Sequence, residues 1–238
     1  MYRFARVVML GAVSVGLSSP IASAGAQESG APTVAILPFN GAMATRTGRE
    51  YEGLHKAMPA LLVSAMSANV AIRVIPREEM QRLVDAQRLQ TGRLIDRDVA
   101  MRVGKLAGAQ HVIFGRVMAD AEGHIRVDAR SVNVESEQVE FTDRVQEVGD
   151  NVMPLVDQLA MKLTHGMHLP VTLGAMQAGG PASSAQLPVK TAVMFGKALD
   201  LSDRGDSAHA AELFEAVLRD YPDFAPAKVG LGRLKPGT

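Results

Sequence analysis

Apolar and polar positions divide the chain into blocks of distinct period. Thr33 to Phe39 is a short apolar run bounded by turn residues, the pattern of a buried strand. Leu54, Met58, Leu61, Leu62 and Ala65 then recur at helical spacing. Pro59 falls inside that set and removes a backbone hydrogen bond, so the helix kinks there or begins near it. Val70 to Ile75 reads as a second strand, stopped by Pro76. Glu78 to Leu89 follows as a charged helix with Met80, Leu83 and Val84 inward. Asp98 to Ala107 forms another, with Val99, Val103, Leu106 and Ala107 on its inner stripe and Gly108 as a left-handed cap.

Three strands come next. His111 to Met118 is almost continuously apolar, which predicts a central position in a sheet. Ile125, Val127 and Ala129 alternate with Arg126, Asp128 and Arg130, so this strand has one wet face. Val132 and Val134 are out of phase with that set, which places a bulge near Arg130. Val139, Phe141 and Val145 resume the alternation after a turn at Ser136 and Glu137, giving an antiparallel hairpin. A closing helix runs from about Asn151 to His165, with Val152, Val156, Leu159, Ala160 and Leu163 on one stripe. Residues 32–168 therefore read as an α/β layer: a mixed sheet of about five strands with flanking helices.

Residues 169–188 are the expected linker; from Gly174 to Pro188 they hold Gly, Ala, Ser, Pro and Gln without a charge. Residues 189–238 read as an α-helical hairpin. Met194, Ala198 and Leu201 give one face, and Gly205-Asp206 makes the turn. Ala210, Phe214, Val217 and Leu218 give the second face. Ala198, Ala210, Phe214 and Pro222 stand at the small, small, aromatic and proline positions of a tetratricopeptide repeat, and Gly232 falls at the next small position. One repeat plus the first helix of another cannot bury its own apolar face. It must dock on the α/β layer, on a second copy of the chain, or on a partner.

Residues 1–26 have the pattern of a secretory signal peptide. Arg3 and Arg6 precede an uncharged apolar stretch from Val7 to Leu17, and small residues end it at two cleavage options, after Ala24 or Ala26. The stretch is short of the roughly 20 residues of a spanning helix, so cleavage and a periplasmic destination are expected. The chain holds 25 Lys and Arg against 25 Asp and Glu, which removes the electrostatic footprint of a nucleic-acid binder. It holds no cysteine, which excludes disulfides, zinc-thiolate sites, thiol nucleophiles and attachment of a lipid to an N-terminal cysteine.

Four motifs in order carry a family resemblance: Val34-Ala-Ile-Leu-Pro-Phe39, Arg73-Val-Ile-Pro-Arg-Glu-Glu-Met-Gln-Arg-Leu83, Ala107-Gly-Ala-Gln-His-Val-Ile-Phe-Gly115 and Arg130-Ser-Val-Asn-Val-Glu-Ser136. With them the chain resembles the curli-assembly (CsgG-like) family over residues 32–168. The relatives of that family include FlgO-like flagellar proteins and the periplasmic domain that activates penicillin-binding proteins. The resemblance implies assembly work at the envelope without catalysis. Its secretion-channel members form lipidated outer-membrane rings with inserted β-hairpins. This chain departs from them in lacking the lipid-acceptor cysteine and both insertions, since only about seven residues separate Gln90 from Asp98, against the 9–11 of one spanning strand. A short turn joins Met118 to Ile125, and the turn Glu135-Ser-Glu-Gln138 lacks the expected glycine. A soluble periplasmic relative is the resulting expectation.

Candidate chemistry changes this little. His165 and His168 stand too close to a helix end, and too far from a third ligand, to make a metal site; as imidazoles near the last carbonyls they act as a C-terminal cap. His111, at the start of the central strand, reads as a satisfied core or edge histidine. Glu78 and Glu79 point about 100° apart in a first helical turn, where carboxylates suit the macrodipole. Serine elbows and phosphate loops are missing from the sequence. No cofactor and no catalytic residue is assigned. The expectation is an exported non-enzyme acting by protein–protein contact in assembly or secretion of a curli-type surface structure. Its partners are envelope proteins and further copies of itself, not nucleic acid, and peripheral outer-membrane association fits. The alternatives are a soluble activator of an envelope enzyme, a flagellar assembly factor, or, from another class, a hydrolase using scattered acids such as Asp128 and Glu140.

Overall fold

The computed structural model describes residues 30–41, 50–87, 95–120, 124–147, 149–172 and 186–234; the signal segment with Ala24 and Ala26 lies outside them. Six strands make one mixed sheet: β1 Thr33–Ile36, β2 Asn40–Gly41, β3 Arg73–Val74, β4 His111–Ala119, β5 Ile125–Asn133 and β6 Val139–Glu147. Their order is β3-β1-β4-β5-β6, with β2 beside the far half of β4. The pairs β1/β3, β1/β4 and β2/β4 are parallel, while β4/β5 and β5/β6 are antiparallel. β4 is thus central, as its unbroken apolar run implies.

Seven α-helices accompany the sheet among the described residues: α1 Leu54–Ser67, α2 Arg77–Ala86, α3 Arg97–Ala107, α4 Met153–Gly166, α5 Val189–Asp203, α6 Ser207–Asp220 and α7 Ala225–Leu234. α2 and α3 pack on one face over Ala35, Leu37, Val112, Phe114 and Val132. α1 and α4 pack on the other, over Val34, Ile113, Val127 and Ala129.

Local chemistry explains the element boundaries. Pro38 has no N–H to give the ladder, so the expected strand through Phe39 breaks after Ile36 and pairing resumes at Asn40. The strand expected over Val70 to Ile75 shrinks to two residues. Asn69 turns the chain there, its Oδ1 accepting from the Ala71 N–H, and Val70 is left 79% exposed. α3 begins one residue early because the Asp96 carboxylate accepts from the Val99 N–H (2.9 Å) and caps it. It ends at Gly108, whose φ of 63° closes the helix as expected. Leu106, expected inward, is 54% exposed, because Ala100, Met101, Val103 and Gly104 form the buried stripe. The bulge expected near Arg130 appears in the β5/β6 pairing, where Ser131 faces Phe141 and Val132 faces Val139, so the extra residue is on β6. The β4/β5 ladder is unbroken, and Val132 shares the face of Arg130 and enters the α2–α3 core beside Val112. Glu137 takes the left-handed conformation (φ 57°) in the β5–β6 turn, where a glycine was expected.

The C-terminal helices share their core with the α/β layer. One cluster of buried side chains runs from Val34 and Leu61 through Leu159 to Phe195, Phe214 and Phe224. The Phe195 ring meets Phe224 edge-on at 5.1 Å and Phe214 at 6.0 Å, an arrangement worth about 0.5–1.5 kcal/mol per pair beyond burial. α1 lies between the sheet and α5, so it is buried nearly all round rather than along one stripe, Lys56 included. Gly53 and Gly196 make the crossing possible: a Cβ on Gly196 would overlap the Gly53 carbonyl, and one on Gly53 the Val193 carbonyl. Of the three docking options open to the unfinished repeat, the first is realised.

Candidate functional site

The side chains on the α2–α3 face of the sheet change character halfway along the strands. Val112, Phe114 and Val132 lie under the helices. Beyond them, the same face carries Arg116 on β4, Arg126, Asp128 and Arg130 on β5, and Thr142 and Arg144 on β6. Register brings them together: Arg116 and Arg144 are each directly opposite Asp128, on its two sides. Arg126 is two residues away on the same strand and therefore on the same face.

Asp128 accepts from Arg116 Nε (3.1 Å), Arg144 Nε (2.8 Å) and Arg126 Nε and Nη2 (3.1 and 3.0 Å). Its side chain is only 19% exposed, while those of Arg116 and Arg144 are 46% and 59% exposed. The guanidiniums themselves are the screen. Burial pushes the Asp128 carboxyl up, but the hydrogen bonds from Arg126, Arg144 and Arg116 outweigh it and hold the group below its ordinary value. A carboxylate so held is a fixed anion and a poor general acid. Arg130 is exposed and has no ion pair or side-chain hydrogen bond among the described residues. Asp143 also borders the site, with its carboxylate bonded to Lys162 at 2.7 Å. The result is a cavity of about 350 Å³ with Phe114 and Ile95 in its wall, lined by Arg116, Arg130 and Arg144 beside Asp128, whose carboxylate Arg126 also holds.

The other candidates are distributed differently. Glu140, paired with Asp128 in the hydrolase alternative, is bound instead to His111 Nδ1 (2.8 Å) and Asn133 Nδ2 (3.2 Å). Glu78 and Glu79 occupy the first turn of α2, and Glu78 forms ion pairs with Arg77 and with Arg233 of α7. His165 is in the last turn of α4, and His168 follows it at φ 52°. Among the described residues no three His, Asp or Glu side chains stand close enough to share a metal ion. Ala198, Ala210 and Phe214 are wholly buried, whereas Pro222 and Gly232 are exposed. The glycine that admits the Phe214 ring is Gly230, where a Cβ would come within 2.6 Å of it.

A second charge cluster was not visible in sequence. Lys56 of α1, 3% exposed, bonds Asp203 of α5 at 2.7 Å and Gln81 of α2 at 3.2 Å. Arg77 holds both oxygens of the same Asp203 at 2.9 and 3.0 Å. Burial pushes the Asp203 carboxyl up, and the bonds and charge of Arg77, then Lys56, carry it below its ordinary value. This cluster ties α5 to the α/β layer.

Comparison with known proteins gives the following. No curated protein matches the chain. Solved structures similar to it include the LpoB C-terminal domain from Salmonella enterica, 10% identical over 50% of this chain and 84% of that one, TM-score 0.33. A lipoprotein from Neisseria meningitidis is 11% identical over 59% and 99%, TM-score 0.41. A PelC dodecamer from Paraburkholderia phytofirmans is 14% identical over 59% and 89%, TM-score 0.33. No described helix is long and apolar enough to cross a membrane. The family model that matches stops at residue 122, after β4 and short of β5, β6 and α4, and so includes Arg116 but not the rest of the arginine cluster. It spans residues 21–122, which hold three of the four motifs, and over that segment the chain is similar to the family of CsgG, the curli production assembly/transport component.

Proposed function

We propose that the protein is an exported, non-catalytic envelope protein that acts by contact, in assembly or secretion of a surface structure of the curli type. The observation that carries this reading is the half-face of the sheet left open beyond α2 and α3. Its charged groups neither converge on a nucleophile nor leave a carboxylate free to move a proton. Arginine forks fixed around one anion suit recognition of another protein. The similarity of residues 21–122 to the CsgG family supports an envelope setting.

In this reading residues 1–26 are a signal peptide removed at Ala24 or Ala26, 32–168 form the working domain, 169–188 link, and 189–238 are a tetratricopeptide-like brace. The destination is the periplasm, with peripheral attachment to the outer membrane or to further copies of the chain. The test is fractionation of the producing cells, followed by crosslinking in the intact envelope. The expected result is a periplasmic protein crosslinked to components of one surface machine. Recovery of the protein only in the cytoplasm, or turnover of a substrate abolished by a single carboxylate substitution, would contradict it.

A further inference from the structure

The reading of the protein as a contact molecule leaves its partner's chemistry open, and the half-face narrows it. Four arginines share one surface with a single carboxylate not paired elsewhere. A guanidinium has five N–H donors. Arg116 and Arg144 each give Asp128 only their Nε–H, so their terminal NH₂ groups remain available at exposed positions. Arg130, beside them on β5, gives none among the described residues. Asp128 thus does two things: it holds the stems of its neighbours in place, which lowers the entropy cost of binding, and it leaves the face strongly positive. Phe114 and Ile95 add an apolar wall to the cavity, and the period of the strands spaces the charges along it.

Among the described residues the open face holds no second unpaired carboxylate. Of the remaining segments, 42–49 hold Arg46 and Arg49 and no acid, 88–94 hold Arg88 and Arg93 and no acid, 173–185 are uncharged, and 1–29 and 121–123 hold one acid each, Glu28 and Glu122. Four arginines against one carboxylate leave an excess of positive charge that an acidic partner complements.

We infer that the open half-face of β4, β5 and β6 is the docking surface for an acidic segment of a partner protein. Its carboxylates bridge Arg130 and the outward nitrogens of Arg116 and Arg144, and an apolar residue between them enters the cavity beside Phe114. The inference rests on the contact reading above, and the two fail separately: a catalytic protein would sink that reading, while a contact protein that binds through another face would sink only this one.

The test uses the full chain without its signal segment and a fluorescent ten-residue peptide of Glu and Asp with central leucines, followed by anisotropy. The controls are the same peptide with Gln and Asn, inorganic phosphate, and phosphatidylglycerol vesicles. The expected result is saturable binding of the acidic peptide that weakens with salt. It should fall by about tenfold or more in Arg130→Glu and in Arg116→Glu, the scale of losing one charge-assisted pair. Arg219→Glu, on the exposed side of α6, should leave it unchanged. Equal loss in Arg219→Glu, equal binding of the Gln and Asn peptide, or binding of vesicles alone would overturn the proposal. So would dimers seen by light scattering that Arg130→Glu dissolves while the peptide has no effect on them. The thermal transition of each variant checks its folding. If Arg130→Glu melts early, Arg130→Gln replaces it: weaker peptide binding in that variant supports the proposal, and unchanged binding overturns it.

Discussion

Two clusters in this molecule share a plan and have opposite meaning. In each, one aspartate is ringed by cations drawn from several elements: Asp203 by Lys56 and Arg77, Asp128 by Arg116, Arg126 and Arg144. Both carboxyls are held below their ordinary value against the effect of burial. The cations separate them. Lys56 and Arg77 are 3% and 12% exposed and all their charge is spent on Asp203 and its neighbours. Arg116 and Arg144 stand half in solvent with donors to spare. The first cluster fixes where α5 sits; the second presents charge to another molecule. Charge count alone does not distinguish a brace from a binding face; the exposure of the outer partners does.

Substitution at the two aspartates separates them most strongly. Asp203→Ala strands Lys56 and Arg77 in a buried setting and should cost about 3–5 kcal/mol in urea unfolding. A cost below about 1 kcal/mol would mean that Asp203 is no brace. The crossing beside it is the next largest. Gly196→Ala forces α5 off the Gly53 carbonyl, and overpacking of this kind costs about 1–3 kcal/mol; limited proteolysis should then cut near residue 186 sooner than in the parent chain.

Acid sharpens the same contrast. A carboxylate held low stabilises the fold above its unfolded pKa of about 4, and the stabilisation is lost as pH falls through the folded value. Urea midpoints of the parent should therefore fall as pH drops from about 5 towards 3. That slope should flatten in Asp203→Asn. In Asp128→Asn it should stay close to the parental slope, because a solvent-screened pair returns little stability. The smallest effect is on the open face itself: Asp128→Asn should change stability by about 0–1 kcal/mol while altering acidic-peptide binding.

The fold was legible where periodicity has one reading. The apolar run of β4, the alternation of β5 and the capping glycine of α3 led directly to elements that the structure contains. Periodicity misled where a second layer or a single backbone group decided. α1 looked one-sided because the sequence does not show that α5 covers its back, and Pro38 cut a strand whose side chains favour continuity. Of the candidate site, Arg126, Asp128 and Arg130 were visible as the wet side of one strand. Arg116 and Arg144 were not, because their positions opposite Asp128 depend on the β4/β5 and β5/β6 registers, the second of which shifts between Ser131 and Val132. The Lys56–Asp203 contact joins residues 147 apart in sequence and carried no local signal.

Whether the protein works by contact through its open arginine face can be decided in the cell. A photo-crosslinker at Thr142, a neutral position on that face, would be activated in the intact envelope with and without Arg130→Glu. One discrete adduct is expected, and it should be lost in the variant. The same adduct in equal yield with Arg130→Glu, or adducts only from a crosslinker on the exposed side of α6, would show that the face is not the contact surface.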